Sequence, residues 1–137
     1  MLRSLLAWIV LMTGWWSMDA APAVTGYLPH YRANLIDTLP VEKLTDIIFF
    51  SIAPKQDGSL DTKNVRPEVL RKLTARAHAK KVRVHICVGG WGLSAGFAPM
   101  TANAKARTSF VQQLTAFVRK HNLQGADIDW EHPKSAA

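Results

Sequence analysis

Between Asp46 and Ala53 the chain reads Asp-Ile-Ile-Phe-Phe-Ser-Ile-Ala, an apolar run interrupted by a single hydroxyl. A strand with one wet face alternates polar and apolar residues, whereas a run this continuous marks a strand covered on both faces. Such strands belong to parallel sheets, whose crossover connections supply the cover. The rest of the chain provides matching parts. Val24 to Leu28 reads as a short strand ended by Pro29, followed by a polar loop from His30 to Asp37. Pro40 to Leu44 forms one helical turn with proline at its first position, and Pro54 to Gly58 breaks the apolar run. Pro67 to Lys81 is a helix, with Leu70, Leu73 and Ala77 at i, i+3 and i+7. Val82 to Val88 is a third strand. Lys105 to His121 is a second long helix, striped by Phe110, Leu114 and Phe117 and capped by Asn103. Gly125 to Trp130 is the fourth strand.

Strands alternating with helices predict an α/β fold with a parallel sheet and right-handed crossovers. Two architectures fit, a doubly wound sheet or the first half of a (β/α)8 barrel. A nucleotide-binding doubly wound sheet wants a glycine-rich loop after its first strand, and that place holds Tyr27-Leu28-Pro29-His30. Polar and glycine residues gather instead at strand C-terminal ends: Tyr27, then Gly89-Gly90-Trp91, then Asp129 to Glu131. Barrel active sites are built there. The expectation is a partial (β/α)8 TIM barrel containing strands one to four only, since a whole barrel takes about 250 residues and this chain has 137.

Not all of those residues belong to the expected domain. Arg3, the apolar run from Leu5 to Trp16 and the small-x-small site Ala21-Pro22-Ala23 follow the order of a secretory signal peptide. The run is shorter than the ~20 residues a bilayer span needs, so no stable membrane anchor is expected. Residues 1–23 are therefore read as the signal and residues 24–137 as one domain, with a secreted or periplasmic location. The single cysteine, Cys87, lies in an apolar strand and reads as a small buried hydrophobe. The formal charge of +7 comes largely from Arg71, Lys72, Arg76, Lys80, Lys81 and Arg83, most of them on the polar face of the first long helix. A solvated helix face explains them better than a nucleic-acid patch. No zinc spacing and no cofactor motif occurs.

The fourth strand carries the chemistry. Asp127, Asp129 and Glu131 occupy alternate positions, with Ala126, Ile128 and Trp130 between them. Alternation puts the three carboxylates on one face, roughly 6.6 Å apart along the strand for neighbours and roughly 13 Å for the outer two. Asp129 can thus influence both others. Close like charges hold one carboxyl protonated, as a general acid requires. A solvated edge strand and an oxygen-ligand site for Mg²⁺ or Ca²⁺ are the competing readings. Trp91 and Tyr27 read equally well as core residues or as sugar-stacking platforms. Tyr31 and Trp130 read as structural, and His30, His78, His85 and His121 as ordinary surface or core residues.

Two segments together resemble glycoside hydrolase family 18, the chitinase family. Cys87-Val88-Gly89-Gly90-Trp91 is similar to its S-x-G-G element, and Gln124 to Glu131 to its D-x-x-D-x-D-x-E signature. The spacing between them and Val24 to Tyr27 on the first strand agree. Cys87 stands where the family usually has serine, and Gln124 replaces the outermost aspartate. The resemblance implies retaining, substrate-assisted hydrolysis of β-1,4-linked N-acetylglucosamine polymers, an exception to the usual pair of catalytic carboxylates. It implies Glu131 as general acid, Asp129 as the group orienting the acetamide, and Asp127 as a deeper partner sharing a proton with Asp129. Tyr27 is implied to support Asp127, and Gly89, Gly90 and Trp91 to form part of the substrate site. The class alternative is a carbohydrate-binding remnant without turnover. A four-strand sheet leaves two open edges, so self-association through them is a further expectation.

Overall fold

The computed structural model describes residues 22–133. Most of the expected signal segment, residues 1–21, lies outside the described residues. The chain runs through β1 (Thr25–Pro29), a 3-10 stretch (His30–Thr38), a 3-10 turn (Val41–Lys43), β2 (Asp46–Pro54), β3 (Leu60–Asp61), α1 (Pro67–His78), β4 (Arg83–Gly89), α2 (Phe97–Ala102), α3 (Ala104–Lys120) and β5 (Gly125–Asp129). The main sheet has the order β1-β2-β4-β5, with every neighbouring pair parallel. β3 is a two-residue antiparallel rung on β2.

The strand registers decide between the two architectures. Leu28 pairs with Phe49, Phe49 with Ile86, and Ile86 with Ala126. Leu28, Phe49 and Ile86 join one core cluster with Leu70, Leu73 and Ala77 of α1 and Ala106 and Phe110 of α3. The next row along the strands, which contains Tyr27 and Ile48, belongs to the opposite face, and neither residue is in that cluster. All the helical cover therefore lies on one face. A doubly wound sheet carries helices on both, and a barrel only outside.

The sheet is also curved toward its uncovered face. Tyr27 is level with Gly125, since its register runs through Ile48 and His85. In a flat sheet Tyr27 and Asp127 would lie about 16 Å apart, from three strand spacings and two residues of rise. Their side chains meet at 2.9 Å. β2 bends at a register shift between Phe49 and Ile52. There the one hydroxyl of the apolar run is consumed: buried Ser51 donates to the Gly89 carbonyl at 2.9 Å.

Local expectations hold with shifts of a few residues. Asn103 caps α3, its side chain accepting from the Ala106 amide. Asp46, Arg83 and His85 form a cluster at the N-terminal end of the strands. Asp46 Oδ1 lies 2.7 Å from Arg83 Nε and 2.8 Å from His85 Nε2, and Oδ2 accepts from Thr45 at 2.7 Å. His85 is therefore paired, which its sequence spacing did not indicate. Tyr31, read as structural, is 68% exposed. The face opposite the carboxylates is uncovered at β5: Ala126 and Ile128 are exposed because, among the described residues, no helix lies beyond α3 to pack on them.

Candidate active site

The predicted residues lie on β1, β4 and β5 and on the turns that follow β4 and β5. β5 carries Asp127 and Asp129 on the uncovered face, both half-buried, and Glu131 follows two residues after its end. β4 pairs Cys87 with Asp127 and Gly89 with Asp129. β1 contributes Tyr27, whose hydroxyl donates to Asp127 Oδ2 at 2.9 Å. Cys87 is fully buried and lies beside Asp127 in the strand register. Asp127 is thus held by a hydrogen bond from β1 and paired in register with β4.

Those contacts act on the donors. The Tyr27 hydroxyl is pushed up to about 12, first by partial removal from water, then by the hydrogen bond to Asp127 and its negative charge. The Cys87 thiol is also pushed up to about 12, by burial first and then by the charges of Asp127 and Asp129. Both stay neutral donors at ordinary pH, which suits support of a carboxylate.

Gly89 and Gly90 are required by geometry. Both have left-handed φ, +99° and +93°. A Cβ on Gly89 would overlap the Asp129 carbonyl oxygen, and one on Gly90 would overlap the Phe50 ring and approach Asp129 Oδ2 to 3.2 Å. The pair lets the β4 end lie directly against the Asp129 carboxylate and backbone. Gly90 N–H donates to the Asp129 carbonyl at 2.6 Å. Trp91 then projects from the loop at 81% exposure, which rules for the exposed reading over the core one. Tyr27, 58% exposed, has an open ring and an anchored hydroxyl.

Glu131 lines an open cleft of about 640 Å³ together with Gly92, Ser94, Ala98, Trp130 and His132. Trp130 stacks on Phe97 with ring centroids 5.2 Å apart, matching its structural reading. Among the described residues no group of three or more His, Cys, Asp or Glu side chains converges closely enough to hold a metal ion. Gln124 sits at the far end of β5, its carboxamide oxygen accepting the Val84 amide at 2.8 Å and facing His78 Nε2 at 2.9 Å. It ties β5 to β4 away from the carboxylates. Two residues of the site carried no sequence signal: Ser94, bound to the backbone of Asp129 and Glu131, and Phe50, the floor under Gly90.

A model of the glycosyl hydrolases family 18 matches residues 23–137. This chain belongs to glycosyl hydrolase family 18. Among relatives, a chitinase-like effector of Moniliophthora perniciosa is 36% identical over 121 residues, covering 88% of this chain and 25% of the relative. The endochitinase of Manduca sexta is 32% identical over 118 residues, covering 80% and 21%. The crystal structure of a chitinase from Bacteroides thetaiotaomicron superposes with a TM-score of 0.74 at 28% identity, covering 82% of this chain and 37% of that one. The chain spans about a quarter of the length of such curated relatives. In this family 18 member the sheet is the part of a TIM barrel that the sequence predicted.

Proposed function

We propose that the site hydrolyses β-1,4-linked N-acetylglucosamine polymers with retention, the substrate's own acetamide acting as nucleophile. Glu131 protonates the glycosidic oxygen. Asp129 orients the acetamide and balances the positive charge of the oxazolinium ion. Asp127, held by the Tyr27 hydroxyl, shares a proton with Asp129. Trp91 offers its exposed face to a sugar ring. The observation that carries this reading is the Tyr27–Asp127 bond across the curved sheet, beside Asp129 set against Gly90, with Glu131 two residues beyond the strand. The chitinase names of the relatives support the substrate class. The apolar run from Leu5 to Trp16 supports export to a secreted or periplasmic location, where such polymers are met.

A second reading, sugar binding without turnover, is favoured by the exposed Trp91 beside an open face. Release of chromophore from a chitobioside separates the two. Turnover by the natural chain and its loss in Glu131→Gln supports hydrolysis; chitobioside binding with no release supports the binding reading.

A further inference from the structure

We propose that Ser94 is the positioning residue for Glu131, an assignment that rests on Glu131 being the proton donor. The sheet ladder ends at Asp129, so the residues beyond it need other anchors. All the anchors come from one stretch, Gly90 to Phe97. Gly90 N–H holds the Asp129 carbonyl, the Phe97 ring stacks on Trp130, and the Ser94 hydroxyl accepts the Glu131 amide at 3.0 Å. The same hydroxyl lies 3.1 Å from both the Gly90 and the Asp129 carbonyl oxygens. A hydroxyl has one proton to donate and lone pairs to accept. Ser94 therefore donates to one of these carbonyls at a time while accepting from Glu131. It is 7% exposed, so water is a poor substitute.

The consequence is geometric. Ser94 fixes the backbone of the acid relative to the backbone of Asp129, and it does so from the loop that also presents Trp91. Among the described residues it is the one hydrogen-bond partner of the Glu131 amide. Alanine would remove that bond and leave the amide free to drift, whereas threonine keeps the hydroxyl. Misplacement of a catalytic group by about 1 Å costs about 10²-fold in rate. Such a loss belongs in kcat, because the Trp91 and Tyr27 side chains are unchanged in Ser94→Ala.

The test pairs amide exchange with kinetics on the full chain. In Ser94→Ala the Glu131 amide should exchange about ten-fold faster while the Val88 and Asp127 amides hold their rates. On a chromogenic chitobioside kcat should fall about 10²-fold with KM within about two-fold, and Ser94→Thr should restore both readouts. Unchanged Glu131 exchange in Ser94→Ala overturns the assignment, as does exchange that rises equally at Val88 and Asp127, or a threonine variant as impaired as alanine. If the natural chain shows no turnover, the hydrolytic reading falls, yet the exchange comparison still decides what holds residue 131.

Discussion

The Tyr27 hydroxyl donates to Asp127 at 2.9 Å although a hundred residues separate them and two strands lie between. That bond joins the two edge strands of the sheet over its uncovered face. It gives the half-buried Asp127 carboxylate a neutral donor. Removing it in Tyr27→Phe leaves the ring in place and withdraws the hydrogen bond to a charged acceptor. Such bonds contribute about 1.5–3 kcal/mol, or about ten- to hundred-fold in rate. We expect a fall of that size in kcat on a chitobioside, with KM changed by less than about three-fold.

Tyr27 and Cys87 hold their protons more tightly in the folded chain, each pushed up to about 12 from ordinary values of 10.0 and 9.0. Between those ordinary values and 12 the folded state binds more protons than the unfolded one, so stability declines as pH rises. The contribution is complete below pH 9.0 and drains away on the approach to 12. Urea midpoints measured from pH 8 upward should fall through that window, and the double variant Tyr27→Phe with Cys87→Ala should flatten the fall.

Cys87 is fully buried, and its thiolate is suppressed by burial and by the neighbouring carboxylates. The thiolate is the reactive form. Iodoacetamide at pH 8 should therefore leave the folded chain unlabelled and alkylate Cys87 once urea unfolds it. Labelling at equal rates in both states would place the thiol elsewhere than against Asp127.

At the opposite end of the strands, Asp46 is held well below the usual carboxylate range, chiefly by its hydrogen bond to Arg83 and further by Thr45 and His85. A depressed carboxyl stabilises the fold above its unfolded value of 3.8 and loses that contribution as pH falls below it. Asp46→Asn should cost about 2 kcal/mol at pH 7 in chemical denaturation, and should remove much of the loss of stability expected below pH 4 in the natural chain.

Gly89→Ala tests the close approach of β4 to β5. The added methyl would overlap the Asp129 carbonyl while φ is held at +99°. Both effects oppose the parallel pairing that places Asp129. We expect destabilisation of about 3 kcal/mol or more, from overpacking and backbone strain together, read as a drop in the denaturation midpoint.

The sheet was legible in the sequence because its strands are extreme. Ile47 to Ile52 has no wet face to confuse the pattern, and α1 and α3 repeat apolar residues at helical spacing. The alternation of Asp127 and Asp129 on β5 likewise read directly as a shared face, whereas Glu131 lies past the end of the strand. What escaped was irregular. The 3-10 stretch from His30 to Thr38 is mostly exposed, with Ile36 its one buried residue, so it carries little periodicity. α2 is six residues long with Pro99 inside it, too short for a helical repeat to register. β3 spans two residues. Ser94 and Phe50 matter through backbone bends that bring distant segments together, and no spacing rule reports such contacts. The pairing of His85 with Asp46 depends on strand register, which emerges only once β2 and β4 are aligned.

Proton NMR of chitotetraose mixed with the full chain reports turnover and stereochemistry together. The β-anomer of the new reducing end should form first, and Glu131→Gln should form none over the same interval. An α-anomer formed first, or equal product from the natural chain and Glu131→Gln, would contradict the proposed mechanism.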